Sequence, residues 1–162
     1  HCIPIDPLYL NFAAKKFGYD SKFVKLSSEV NSKTTKFVEK KVISSLHKNN
    51  IKFSLAKILF LGLSYKKNLD DYRESASLKL FDLLRKKGIK KIKFYDPHFK
   101  NNNIPKKIIL LKKLTSKILL NFDLVVLMTD HDCFDYKFIN KNSKRIIDCR
   151  GKFPVSEKVI RG

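Results

Sequence analysis

Residues 57–75 read KILFLGLSYKKNLDDYRES, and the way this stretch divides decides the fold. Its first seven residues, KILFLGL, are a continuous apolar run, the mark of a strand buried on both faces. A single glycine, Gly62, lies near the end of that run, and a charged loop over 64–74 follows. Residues 75–87, SASLKLFDLLRKK, then read as an amphipathic helix, with Ser75 available as its cap and Gly88 as its stop.

The same alternation continues downstream. KIKFYDP (91–97) reads as a second strand closed by Asp-Pro, and DLVVLMT (123–129) as a third. Residues 107–112 are expected to add a short strand. Residues 114–120 are expected to form a short helix with Leu114, Ile118 and Leu119 inward. Residues 132–140 form another helix, and RIIDC (145–149) a last strand. Strands alternating with helices at this spacing predict a parallel sheet with right-handed crossovers. The fold class is therefore α/β, a Rossmann-like open parallel sheet.

Upstream the pattern is helical. Residues 6–18, DPLYLNFAAKKFG, read as a short helix, with Asp6 as its cap, Pro7 in the first turn and Gly18 as its end. Residues 23–49 read as one long helix, because apolar residues from Phe23 to Leu46 recur at roughly helical spacing until Asn49 and Asn50 break it. Such a helix serves as a packing spine or a dimer contact. The expected division is a helical region over 1–52 and an α/β domain over 53–162.

Composition narrows the function classes. Hydrophobic residues make up 43%, enough for a packed core. No run of 18 apolar residues occurs, so no membrane helix is expected. The three cysteines, Cys2, Cys133 and Cys149, lack paired spacing, which suits a reducing cytoplasm rather than a disulfide framework. His131 and Cys133 have no second ligand pair, so no metal site is expected. The net charge is +20, yet only Arg73, Arg85, Arg145, Arg150 and Arg161 are arginine. Lysines scattered along solvated faces give a general affinity for polyanions, not the forked contacts of a specific nucleic-acid reader.

In open α/β sheets, ligands bind beyond the carboxyl ends of the strands. That rule selects GLSYKKNLDDYRES, YDPHF, TDHDCF and DCRGKF. A dinucleotide fingerprint, G-x-G-x-x-G running straight into a helix, is absent after the first strand. Lys66, Lys67 and Arg73 can instead meet phosphates from the side, or the loop can be solvated with Asp70 and Asp71 paired to its lysines. Spacing alone supports both.

The segment GLSYKKNLDDYRESASLKLFDLLRKKG resembles the C-terminal signature of the UDP-glucose/GDP-mannose dehydrogenase family, approximately G-L-x-[YF]-K-x-x-x-D-D-x-R-E-S-x-[SA]-x-x-[LI]. YDPHF, LVVLMTDHDCF and IIDCRG fall in order where that family has its Y-D-P, T-x-H-x-x-F and D-x-R. HCIPIDPLYL resembles its catalytic cysteine segment, in the form found in dehydrogenases of UDP-N-acetylhexosamines, with Ile5 where UDP-glucose dehydrogenases tend to have Lys.

The resemblance implies an NAD-dependent four-electron oxidation of a UDP-sugar primary alcohol to a carboxylate, for surface polysaccharide precursors. Cys2 would form the thiohemiacetal and thioester, and Asp6 would orient or deprotonate the hydrolytic water. Tyr65, Lys66 and Arg150 would contact the nucleotide-sugar, and Arg73 the NAD. The plainer role for Arg73 is an ion pair with Glu74 or Asp71. His98, His131, Cys133 and Cys149 are expected to be structural or surface residues. The family also carries an N-terminal NAD-binding domain that these 162 residues lack, so the chain is expected to be a fragment, inactive alone, and homodimeric through 23–49. The alternative is a stand-alone nucleotide-binding module without catalysis.

Overall fold

The structure, a computed structural model, describes residues 5–99 and 104–162. Its elements run α1 (Asp6–Lys15), α2 (Lys22–Lys48), β1 (Lys57–Leu61), α3 (Ala76–Lys86), β2 (Lys91–Tyr95), α4 (Ser116–Leu120), β3 (Leu124–Leu127), α5 (Tyr136–Asn142), β4 (Ile146–Asp148) and β5 (Val159–Arg161). The strands form one parallel sheet in the order β2-β1-β3-β4-β5. The chain moves outward from β1 to β2, then returns to place β3 on the other side of β1. The reversal of strand order therefore lies between β1 and β3, where an open sheet leaves a crevice at its carboxyl edge.

The apolar run of β1 is explained by cover on both faces. Ile58 and Phe60 pack with Val38, Val42 and Leu46 of α2 and with Leu80 and Leu84 of α3. Leu59 and Leu61 face the other way, toward Leu119 of α4, Ile139 of α5 and Phe153. Every one of these side chains is essentially buried. β2 alternates instead, with Ile92 and Phe94 buried and Lys91 and Lys93 exposed. Lysines on such an edge strand discourage pairing with another chain.

Several boundaries differ from the sequence expectation for local reasons. Asp6 is not the cap of α1: Ile5 holds that position without a side-chain cap, and Asp6 is the first helical residue, favoured there by the helix dipole. The helix stops at Lys15, and Gly18, at φ +80°, completes the turn that follows. Residues 107–112 form no strand; Leu110 makes a single parallel bridge to Phe94. The helix expected over 132–140 starts later, at Tyr136, because the Asp135 carboxylate accepts from Phe138 N–H and caps it there. β4 is not the last strand. The three-residue β5 pairs beside it, too short to signal itself in sequence, and Arg161 at its end reaches back to buried Asp148.

Ser75 caps α3 as expected, its hydroxyl accepting from Ser77 N–H at 3.1 Å. Thr115 caps α4 in the same way, accepting from Ile118 N–H. α2 is a 27-residue helix, about 40 Å long at 1.5 Å per residue. Its carboxyl half packs on the core, and its amino half extends past the sheet edge with α1 beside it, tied by Asn11 accepting from Ser21 N–H. No helix among the described residues is long and apolar enough to cross a membrane.

Candidate nucleotide-sugar site

The carboxyl ends of β1 and β3 are locked together at Gly62. This residue has φ +88°, and a Cβ placed on it would lie 2.4 Å from Thr129 Cβ and 2.7 Å from Thr129 N. The glycine thus serves close packing between neighbouring strand ends. Thr129 donates from its hydroxyl to Ser64 O at 2.7 Å, and Ser77 donates to Gly62 O at 2.9 Å. The first strand end therefore holds protein on the side that a dinucleotide fingerprint leaves bare for a pyrophosphate, so these residues do not fit NAD in that place.

The loop that follows is held by a buried polar knot. Asp96, just beyond β2, accepts through Oδ2 from Leu63 N–H, Ser64 N–H and the Ser64 hydroxyl at 2.8, 3.1 and 3.0 Å. Its other oxygen accepts from His98 N–H. His131 lies entirely buried across the knot. Its Nδ1 accepts from Asn68 N–H at 2.9 Å, which puts the ring proton on Nε2, where it points at Asp96 Oδ2 (3.0 Å) and Ser64 Oγ (3.1 Å). Burial raises the Asp96 carboxyl, but the His131 hydrogen bond and the Leu63 N–H outweigh it and hold the group below the ordinary aspartate range.

Outside the knot, Asn68 Nδ2 donates to Asp132, and Lys67 pairs with Asp132 at 3.0 Å. The loop lysine therefore pairs across to the β3 loop and not with Asp70 or Asp71. Asn68 and Glu74 both have positive φ, 62° and 55°, at the two bends of the loop.

A second buried carboxylate shapes the β4 loop. Asp148 accepts from Arg150 N–H and Gly151 N–H on Oδ1 and from Phe153 N–H and Arg161 on Oδ2. This folds 149–153 into a compact turn that presents Arg150. The Arg150 Nε donates to Met128 O at 2.6 Å, and Asp130 lies 4.0 Å away. Its guanidinium terminal nitrogens have no partner among the described residues. Beside it the Cys149 thiol is pushed up to about 12 by burial.

These loops border a cleft of about 990 Å³ between the sheet edge and α2. The candidate residues Tyr65, Lys66 and Arg150 all line it, together with Ile5, which follows Cys2 by three positions in the sequence. Asp6 sits next along the chain, exposed at the start of α1. Cys2 lies outside the described residues. Arg73 does not line the cleft; it is exposed and clamps Asp71, with Nη2 at 2.6 Å from Oδ2. Sequence reading missed Ser64, Asp96, His131 and Asp148 as the groups that shape these loops. Their signal was present in YDPHF, TDHDCF and DCRG, but only as polar residues at strand ends.

Residues 59–154 match the UDP-binding domain of the UDP-glucose/GDP-mannose dehydrogenase family. The UDP-N-acetyl-D-mannosamine dehydrogenase of Pyrococcus horikoshii is 30% identical over 99% of this chain, and that of Methanococcus vannielii 34% over 83%. The solved structure of the Pyrococcus horikoshii UDP-D-ManNAc dehydrogenase superposes with a TM-score of 0.76 at 29% identity, over 99% of this chain and 37% of that one. The chain spans 36% and 28% of the lengths of these two curated relatives. By the domain match and the near-complete alignment with such relatives, the chain belongs to the UDP-glucose/GDP-mannose dehydrogenase family.

Proposed function

We propose that this chain contributes the UDP-binding domain and the catalytic cysteine segment of an NAD-dependent dehydrogenase that oxidises a UDP-sugar, of the UDP-N-acetylhexosamine class, to its uronic acid. The observation that carries the reading is the convergence of Tyr65, Lys66 and Arg150, from loops after β1 and β4, on one cleft that Ile5 also lines. Lys66 is exposed toward solvent, and Arg150, held through its Nε by Met128 O, has terminal nitrogens without a partner among the described residues, a combination suited to a diphosphate.

In this reading Lys66 and Arg150 hold the phosphates, and Tyr65 stands against the nucleotide. Cys2 attacks the sugar aldehyde to form a thiohemiacetal, which is oxidised to a thioester and hydrolysed. Asp6 orients the water for that last step. NAD supplies the hydride acceptor. Among the present residues only Arg73 is proposed to reach it, from the exposed rim, because Gly62 is filled by Thr129. Without a Gly-rich fingerprint among its 162 residues, the chain by itself is proposed to reduce no NAD. Homodimerisation through α2 belongs to the same proposal. It is supported by Phe23, Leu26, Val30 and Phe37, which recur along one outward face of α2 and are all more than half exposed.

The test is calorimetric titration of this chain with UDP and with NAD, with Arg150→Ala as control. UDP is expected to bind and to weaken about 10- to 100-fold in the variant, the range for a charge-assisted contact. NAD is expected to bind little. NAD binding without UDP binding would overturn the reading.

A further inference from the structure

The face of α2 turned toward the domain changes chemistry halfway along its length. At 3.6 residues per turn, Ser28, Asn31 and Thr35 continue the same face as Val38, Val42 and Leu46. The three apolar residues are buried against the sheet and α3. The three polar ones come where the helix leaves the core, and all line the cleft opposite Lys66 and Arg150. Ser28 and Thr35 are half-buried there.

Their neighbours behave differently. Ser27, Ser32 and Thr34 donate back to carbonyls of their own helix. The side chains of Ser28, Asn31 and Thr35 make no hydrogen bond among the described residues. Away from the cleft α2 meets water with lysines, at 33, 40 and 48, and Lys36 lies at the cleft margin beside Thr35. Ser, Asn and Thr are weaker helix formers than lysine, so helix stability does not select them. Hydroxyls and one amide of Ser28, Asn31 and Thr35, beside Lys36 and in the same cleft as Lys66 and Arg150, match a ligand with a polyhydroxylated, uncharged end and an anionic end; Glu74 and Asp82 line the cleft as well.

We propose that Ser28, Asn31 and Thr35 form the wall that reads the sugar ring of the nucleotide-sugar, its hydroxyls and its acylamino group, while the sheet edge takes the diphosphate. This rests on the nucleotide-sugar reading above and adds specificity residues to it. Ile5, three positions after Cys2 in the sequence, lines the same cleft.

The test titrates the chain with UDP and with UDP-N-acetylglucosamine, before and after Ser28→Ala, Asn31→Ala and Thr35→Val are combined. These replacements touch no core packing, and alanine favours the helix. The intact chain is expected to hold the UDP-sugar more tightly than UDP. The variant is expected to lose about tenfold or more for the UDP-sugar and to keep its UDP affinity within about twofold. Equal losses for both ligands would place the wall at the nucleotide and overturn the proposal, and no loss for either would make it a solvated face. An intact chain that binds neither ligand would sink the nucleotide-sugar reading itself and this proposal with it. An intact chain that binds UDP but gains nothing from the sugar would sink this proposal alone.

Discussion

Asp96 Oδ2 lies 3.0 Å from His131 Nε2, both side chains fully buried, and the two join the ends of β2 and β3 to the loop that leaves β1. The carboxylate gathers two backbone N–H groups, one hydroxyl and the imidazole on a single oxygen. Removing it leaves those donors unpaired in a dry site, which costs about 1–3 kcal/mol per group when a partner is lost. Asp96→Asn keeps the shape and one acceptor, so a loss of about 2 kcal/mol is expected in urea unfolding at neutral pH. The sign with pH is fixed. The folded carboxyl sits below its ordinary value of 3.8, so its contribution is present above the unfolded aspartate range and is lost as pH falls through the folded value. The gap between the native chain and Asp96→Asn is therefore expected to narrow on going from pH 7 to below pH 4. A gap that stays constant would mean that the charge contributes nothing.

Gly62 gives a sharper contrast. A methyl there meets Thr129 Cβ at 2.4 Å and must also adopt φ +88°. Gly88, at φ +87°, has nothing within 4 Å of the same position. Gly88→Ala is expected to cost about 1 kcal/mol from backbone strain alone. Gly62→Ala adds a steric conflict between two strand ends and is expected to cost about 2–4 kcal/mol in all. Thermal melts of the two variants side by side check this. Equal losses would show that the Gly62–Thr129 contact relaxes freely.

The difference between what was legible in sequence and what was not has a physical origin. KILFLGL announced β1 because a strand covered on both faces must be apolar throughout, and Ile58, Leu59, Phe60 and Leu61 are all fully buried. The loops holding Tyr65, Lys66 and Arg150 were legible as strand ends, where an open sheet binds ligands, and the three residues themselves as matches to the family motifs. The role of α2 in the cleft was not, because helical periodicity reports which face is apolar. A face that turns polar over a cleft reads as ordinary solvated surface. β5 was silent for a similar reason: three residues of strand carry no period, and its order comes from Asp148 and β4. His131 was legible only as a structural or a surface residue, because one histidine in a polar loop gives no hint of partners 35 and 67 positions away.

The cysteines allow a test that needs no substitution. Cys133 is exposed, with its sulfur 3.7 Å from His98 Nε2, whereas the Cys149 thiol is pushed up to about 12. Only thiolate alkylates, so near pH 8 Cys149 presents roughly one reactive form in 10⁴. Iodoacetamide at that pH, followed by peptide mass mapping, is expected to label Cys133 and spare Cys149 until denaturant is added. Labelling of Cys149 at a rate matching Cys133 would show that the turn built on Asp148 opens readily.

The outward face of α2 makes the last test. Phe23, Leu26, Val30 and Phe37 are spaced as a helical seam and are 80%, 58%, 57% and 51% exposed. This face is distinct from the one carrying Ser28, Asn31 and Thr35, so the two can be altered separately. An exposed apolar stripe of this kind is the usual mark of an interface. Sedimentation of the chain is expected to show a concentration-dependent dimer, and Leu26→Glu with Val30→Glu to return it to monomer by burying like charges across the seam. The helix itself is expected to survive, since glutamate is a good helix former and the core face through Val38, Val42 and Leu46 is untouched. UDP binding is expected to persist in that monomer, because Lys66 and Arg150, the proposed phosphate contacts, line the cleft from one chain. A native chain that stays monomeric at every concentration would remove α2 as a self-association surface, while leaving the reading of the cleft intact.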